Sequence, residues 1–400
     1  MIRAGLMRRL ASGTYSYLPL GLKCLQKVAN IVREEMNRSG ALEIVVPIIQ
    51  PVELWDKSGR NADYGENLFH LKDRHGREMV LVPTAEEVFT SLAANEIKSY
   101  KQMPLNLYQI HSKFRDEFRP RFGVLRSREF IMKDAYTYDV DAEGLHKSYM
   151  NMHEAYCRIF KRCGLDYVIV EAESGEIGGS GSHQFTVPCE AGEDMIVYFK
   201  DGSRAWNLEK APAEPLPKEK AEGDIGQIEQ VHTPGIGSVE DVCDFLKCRP
   251  KDLIKTLIYS AGDQTIAALV RGDHELNQEK LTQALGGKHT ELADEATIVE
   301  VSGAAVGFAG PVGIAKKVSR VFIDYAVAAL ECGITGANKS NYHIKNVVPG
   351  RDFALEGSNV KVLDLRYAQE GDSFEGERLL FKKGIEVGQI FKLWTKYSEK

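Results

Sequence analysis

The chain has 400 residues, 43% hydrophobic and 27% charged, with a formal net charge of -6. That length suggests two or three domains, the apolar share can bury substantial cores, and the acidity makes any basic cluster a local exception. No stretch approaches the ~20 apolar residues of a membrane span, and Met1-Ile2-Arg3-Ala4-Gly5 lacks the apolar core of a secretory signal. Seven cysteines, an odd number, argue for reduced thiols in a cytosolic setting. Neither Cys157 with Cys163 nor Cys243 with Cys248 has zinc-knuckle spacing, and no metal site is expected from them.

In chain order, Leu22, Leu25, Val28, Ala29, Val32 and Met36 form a helical stripe, with Gly40 placed to end it as a left-handed cap. Leu42 to Pro47 then reads as a strand. Leu105 to Ser112 is a second strand-compatible run, and Phe130 to Tyr138 a third apolar stretch. Between them lies Phe114 to Phe130, with five arginines in seventeen residues: Arg115, Arg119, Arg121, Arg126 and Arg128. Pro120 and Gly123 mark a loop there, so the segment reads as an antiparallel hairpin whose strand ends and loop carry the guanidinium groups. A charge run is usually a solvated face, but arginines held on a sheet lose less entropy on binding. Their planar forks match phosphate oxygens two at a time. The pattern asks for a polyphosphate or a nucleic acid.

Further on, residues 179–183 make a Gly/Ser-rich turn ending at His183, suited to close approach of backbone to a ligand. Residues 210–224 hold three prolines and mixed charge and read as a linker. A new globular pattern follows, with a helix over Val239 to Leu246 and strands over Leu253 to Tyr259 and Ile266 to Val270. Lys255 interrupts the first of these strands, where a lysine usually reaches out to solvent. The divisions expected are 1–209, the linker, an inserted block over 225–372, and a return to the first domain over 373–400. No G-x-x-x-x-G-K-[ST] loop is present; Gly286-Gly287-Lys288-His289 fails the spacing.

Phe114-Arg115-Asp116-Glu117 and Arg126-Ser127-Arg128-Glu129-Phe130 together resemble motif 2 of class II aminoacyl-tRNA synthetases. The continuation Met132-Lys133-Asp134-Ala135-Tyr136, the run Thr84-Ala85-Glu86-Glu87, and the Gly/Ser turn before Gln184-Phe185 narrow the resemblance to bacterial-type prolyl-tRNA synthetases, over essentially the whole chain. The resemblance implies an α+β fold, a class II synthetase antiparallel-sheet catalytic core with an inserted α/β editing domain. It implies cytoplasmic homodimers paired through the first helix and strand, with ATP, Mg2+, proline and tRNA(Pro) as substrates and partners, and no membrane.

The resemblance assigns Arg115 to the α-phosphate and the substrate carboxylate, Arg126 to the γ-phosphate, Glu117 to the adenine amino group and Phe130 to stacking on adenine. Thr84 and Glu86 meet the proline ammonium, and His183 helps line that pocket. In the inserted domain Lys255, the loop from Gly307 to Pro311, Asp324 and His343 match positions that hydrolyse mischarged alanyl-tRNA. A pocket shaped for alanine excludes proline by size. By the same resemblance, a glycine-rich motif 3 and an anticodon-binding domain are expected beyond Lys400, and Trp394 stands where the family usually has glycine. The alternative is a fragment or synthetase-like protein retaining only aminoacyl-tRNA deacylation or tRNA binding.

Overall fold

The structure is a computed structural model, in which residues 1–172, 181–218 and 225–399 are described. The chain forms two compact units: Met1–Cys189 with Ile385–Lys400, and Glu190–Gly384.

The first unit opens with an antiparallel hairpin, β1 (Met7–Ala11) and β2 (Thr14–Tyr17). Helix α1 (Pro19–Arg38) is longer than its apolar stripe, because Pro19 pre-sets the helical φ of the first turn, and Gly40 follows the helix at φ +84°. The strand expected over Leu42 to Pro47 shortens to β3 (Leu42–Glu43), parallel to Leu107–Tyr108. Beyond Ile44 the ladder stops: the Val46 N–H goes to the Gln109 side-chain Oε1 at 3.3 Å, and Pro47 has no N–H to offer. Next come β4 (Ile49–Pro51), α2 (Val52–Ser58), α3 (Arg60–Tyr64), β5 (Phe69–Lys72) and β6 (Glu78–Leu81), the three strands forming an antiparallel sheet in the order β4-β6-β5. Helix α4 (Glu86–Glu96) leads to the long hairpin of β7 (Leu105–Phe114) and β8 (Glu129–Tyr138), in register from Leu105↔Tyr138 to Phe114↔Glu129. Helix α5 (Ala142–Arg162), capped by the Asp141 side chain, and the antiparallel pair β9 (Val168–Ala172) and β10 (Ser182–Pro188) follow.

The two faces of the β7–β8 hairpin bury different cores. Tyr108 and Ala135 pack with Met36 of α1, Met152 and Phe160 of α5, and Phe185 of β10. Leu107 and Tyr136 pack on the other face with Trp55, Val80 and Phe89. The first face is thus sealed by α1 and α5, while the second meets α2, β6, α4 and the loop before α4.

The second unit begins with β11 (Asp194–Tyr198) and β12 (Ala205–Asn207), an antiparallel pair over a small core of Val197, Phe199, Trp206 and Leu379. Residues 219–224 of the proline-rich segment lie outside the described residues. Then come β13 (Glu229–His232), α6 (Val239–Leu246), β14 (Leu253–Ala261), β15 (Gln264–Arg271), α7 (Gln278–Ala284), β16 (Glu291–Leu292), α8 (Glu295–Ser302), β17 (Arg320–Asp324), α9 (Tyr325–Ala328), β18 (Gly333–Gly336), β19 (Tyr342–Val347) and β20 (Val360–Leu363). Seven of these strands make a mixed sheet in the order β13-β19-β18-β14-β15-β17-β20, with β16 beside β14. Ile254, Leu269 and Ile323 bury one face, while Tyr259, Val270 and Phe322 bury the other. The small hairpin β21 (Ser373–Phe374) and β22 (Glu377–Arg378) precedes β23 (Leu380–Phe391), whose first residues pair with β11 from Tyr198↔Leu380 to Asp194↔Gly384.

Candidate active sites

Register decides which side chains share the open face of the β7–β8 hairpin. Leu107↔Tyr136, Gln109↔Asp134 and Lys113↔Phe130 place Tyr136, Asp134 and Phe130 on one side, with Gln109 and Lys113 among them. Just past β7 the Arg115 N–H donates to the Arg128 carbonyl at 3.0 Å, and its guanidinium lies 5.3 Å from the Phe130 ring centroid. The buried Arg115 Nε has no hydrogen-bond partner. Arg126 Nε pairs with Glu117 Oε2 at 2.8 Å, and this bond, first among the causes, holds the Glu117 carboxyl below its usual range. Arg128 Nε donates to the Glu117 carbonyl at 3.1 Å. Arg115, Glu117, Arg126 and Phe130 therefore meet at one end of the hairpin, where cations can face anionic oxygens and a flat ring can take a base. Arg126 and Glu117 occupy each other here, so meeting two separate ligand groups requires their bond to open.

The Thr84–Glu86 segment docks onto the same face. The Thr84 hydroxyl reaches Glu86 Oε2 at 2.8 Å and the Tyr136 hydroxyl at 3.3 Å. That tyrosine also accepts the Ala85 N–H at 2.9 Å and donates to Asp134 Oδ2 at 2.9 Å. Asp134 in turn holds the buried Lys113 ammonium at 2.8 Å. Glu86 is not a surface helix residue: it is 5% exposed and pairs with Arg60 Nη1 at 2.9 Å. The same guanidinium binds Glu87 at 3.0 Å, and it lies 5.1, 5.0 and 5.4 Å from the rings of Trp55, Tyr64 and Tyr397. One buried cation between two carboxylates leaves a surplus negative charge, which suits a cationic ligand. Burial, the largest cause, pushes the Glu87 carboxyl upward. Sequence reasoning missed Arg60, Lys113, Asp134 and Tyr136 as site members. Asp134 and Tyr136 lie two residues apart on β8, on the same side of the strand as Phe130, which was the signal for two of them; Arg60, a lone arginine after Gly59, gave none.

His183 has other company. Its Nδ1 lies 2.5 Å from the Tyr149 hydroxyl on α5, and its ring meets His153 edge-on at 5.9 Å. Phe185, two residues on, faces the same helix. Gly179 and Ser180 of the preceding turn lie outside the described residues.

In the second unit the sheet gathers the expected residues. Gly336 pairs with His343, Ile254 with Thr335, Lys255 with Val270, and Leu269 with Ile323. Continuing these registers by one residue sets His343, Gly336, Lys255, Val270 and Asp324 in a row across β19, β18, β14, β15 and β17, side chains on one face. The loop from Gly307 to Pro311 lies against this row. A Cβ on Gly310 would stand 1.9 Å from the Gly336 carbonyl oxygen, so no larger residue fits. Gly307 has φ +93° and a Cβ there would meet Gly237 Cα at 2.7 Å. Pro311 is buried next to it.

His343 is buried, shares a hydrogen bond of 2.7 Å with the Thr233 hydroxyl, and bonds the Gly307 backbone. Burial lowers its pKa, so the ring is neutral at pH 7. Lys255 does not reach into solvent as a lysine on an apolar strand usually does: it donates to the His274 carbonyl, and burial lowers its pKa too. Asp324 is 1% exposed; its oxygens accept the N–H groups of Ala326 and Leu365, each at 2.9 Å, and burial raises its pKa. In this arrangement it caps α9. The site offers one cation, a neutral imidazole and a tight glycine loop, a set suited to holding a nucleotide end and closing on a small group.

Among the described residues no three His, Cys, Asp or Glu side chains converge to hold a metal ion. No described helix is long and apolar enough to cross a membrane.

Residues 233–353 match the aminoacyl-tRNA editing domain family. The whole chain aligns with the proline--tRNA ligase of Syntrophus aciditrophicus at 50% identity over 403 residues, covering 100% of this chain and 68% of that protein. The proline--tRNA ligases of Moorella thermoacetica (49% over 400 residues) and Geobacter sulfurreducens (50% over 402 residues) are matched over 100% of this chain and 69% of their own length. Among solved structures, a Giardia lamblia prolyl-tRNA synthetase in complex with prolyl-adenylate aligns over 52% of this chain and 42% of that one, with 19% identity and a TM-score of 0.45.

Proposed function

We propose that this chain, which belongs to the bacterial-type prolyl-tRNA synthetase family, uses ATP to activate proline for transfer to tRNA(Pro) and hydrolyses alanine wrongly attached to that tRNA. One observation carries the first part. The buried Glu86 network, with its surplus negative charge, is hydrogen-bonded through Thr84 to Tyr136, on the same strand that sets Phe130 beside Arg115. A secondary ammonium at Glu86 would direct its own carboxylate along that strand toward the arginines.

Activation joins a carboxylate oxygen of proline to the α-phosphorus of ATP and releases pyrophosphate. Both reactants are anionic, so their approach needs neutralising and aligning. Arg115 takes the α-phosphate and the carboxylate. Arg126 leaves Glu117 for the γ-phosphate, which frees Glu117 to accept from the adenine amino group above Phe130. The family resemblance assigns His183, bonded to Tyr149, to the wall of the proline pocket. A terminal ribose hydroxyl of the tRNA then attacks the prolyl carbonyl and AMP leaves. The acids of this site are already paired, Glu117 with Arg126 and Glu86 with Arg60, so the chain does not fit a magnesium cage of its own. Mg2+ would be held by the nucleotide's own oxygens and would offset their charge.

At the second site Lys255, Gly307, Pro311, Asp324 and His343 hold the alanyl end while water attacks its ester. The inserted block over 225–372 carries that activity. Exposed Leu20, Leu22 and Val28 along α1, Leu42 of β3 and Val45 just beyond it support pairing of two copies, and the cytoplasm is the compartment that fits this reaction.

Proline-dependent ATP–pyrophosphate exchange by the parent and by Arg115→Ala tests the reading, with alanyl-tRNA hydrolysis followed in parallel. The substitution is expected to cut exchange by about 10³-fold, the scale of losing a transition-state charge contact, and to leave hydrolysis within about twofold. Loss of both activities from a folded variant refutes the two-site scheme. A parent that hydrolyses alanyl-tRNA without exchange retains deacylation alone.

A further inference from the structure

A continuous chain of polar contacts in the second unit joins Lys255 to Asp324. The Lys255 ammonium donates to the His274 carbonyl. His274 is 3% exposed, and its Nε2 lies 3.1 Å from Arg271 Nη2 and 3.0 Å from Gln369 Nε2. The Gln369 N–H donates to Asp372 Oδ2 at 2.8 Å. Asp372 receives both Arg366 Nη1 at 2.6 Å and Nη2 at 2.7 Å, and Arg366 Nε lies 3.8 Å from Asp324 Oδ1. The backbones follow the same course: the Asn277 N–H donates to the Leu365 carbonyl at 2.7 Å, and Leu276 bridges Arg366. Arg366, Gln369 and Asp372 all lie beyond residues 233–353, the span matched by the editing-domain family.

A bidentate arginine–carboxylate pair fixes direction as well as distance. With Arg366 and Asp372 both buried, segment 366–372 cannot slide along the sheet without breaking that pair in a dry environment, which is costly. The segment is also what holds the turn carrying the His274 carbonyl. Resting on the hydrolytic reading of the second site, we propose that Arg366, Gln369 and Asp372 are positioning residues, holding the His274 carbonyl and hence the Lys255 ammonium at a fixed separation from Asp324. None of the three touches the ester; each acts through Lys255 or Asp324.

Gln369 is exposed, so Gln369→Ala cuts the chain of contacts without opening the core. Acylation of Lys255 by acetic anhydride in the full chain, read by peptide mass spectrometry against the exposed Lys361, reports how firmly the ammonium is held. Gln369→Ala and Asp372→Asn are each expected to speed Lys255 labelling at least twofold. Gln369→Ala is also expected to slow alanyl-tRNA hydrolysis about tenfold, with the tRNA KM within twofold. In a Lys255→Ala background the same substitution should change residual hydrolysis by less than twofold, since its effect passes through the lysine. Labelling that rises by less than twofold in both variants overturns the proposal, as do losses that multiply in the double variant. If the parent shows no hydrolysis, the functional reading of the site falls, and labelling still decides the positioning role.

Discussion

Arg60 carries more of the first site than its place in the sequence suggests. Fully buried beside three aromatic rings, it is the cation between Glu86 and Glu87. Burial works against its charge, but the two carboxylates outweigh it and raise its pKa overall. Removing one member of a buried ion cluster leaves the others uncompensated, which costs about 3 to 5 kcal/mol. Arg60→Gln should therefore lower the unfolding free energy of the first unit, measured by urea unfolding, by that amount. Arg60→Lys, which keeps the charge but loses the fork and the ring stacking, should fall between. A loss of unfolding free energy under about 1 kcal/mol in Arg60→Gln would mean that solvent reaches the cluster. Trp394 is informative in a different way. It sits at φ +51°, in the left-handed region that favours glycine. Its indole is half exposed rather than buried.

Elements differ in how much of their geometry composition alone could fix. The β7–β8 hairpin was legible because Leu105 to Ser112 alternates, Phe130 to Tyr138 is rich in apolar residues, and Pro120 and Gly123 mark the loop between them, so the arginine-bearing end could be placed, while the register comes from the structure. The helix over Val239 to Leu246 was legible for the same reason, its apolar spacing matching one face. β3 was not, since what stops it is a side chain sixty-three residues away, Gln109, competing for the Val46 N–H. The partners of Glu86 were hidden likewise, because long-range ion pairs leave no local period. In the second unit the Gly307–Pro311 loop was found as a motif, but its reason is tertiary: it presses on Gly336 of β18. Gly310→Ala must push a methyl group into a backbone oxygen, and backbone cannot rotate aside as a flexible side chain can. Overpacking of this kind costs about 1 to 3 kcal/mol or more. The expected outcome is a lower melting point for the second unit and at least a tenfold loss of alanyl-tRNA hydrolysis. A variant with parental melting and turnover would show that the loop moves away from β18 freely.

For the whole molecule, the charges buried in the second unit set a pH dependence whose sign can be worked out. Burial, then the guanidinium groups of Arg366 and Arg271, depress His274 from its ordinary 6.5 to about 4, against the opposing pull of Asp273 and Asp372. The native protein thus binds fewer protons at this site than the unfolded chain between those values. The corresponding stability is fully present above pH 6.5 and is lost as pH falls toward 4. A difference of that size is worth about 3 kcal/mol in total, most of it gone by about pH 4.5. His343, also depressed by burial, adds loss of the same sign. Carboxylates that are paired in the native state, such as Glu35 with Arg158 and Arg162, lose their contribution at lower pH still, as protonation reaches them. His274→Gln keeps an acceptor for Arg271 and Gln369 but cannot titrate. Between pH 7.5 and 4.5 the parent should therefore lose roughly 2 to 3 kcal/mol more than this variant in urea unfolding of the second unit. Equal losses would mean that the His274 proton is taken up without cost, and that the surrounding cations do not face the ring in solution as they do in the structure.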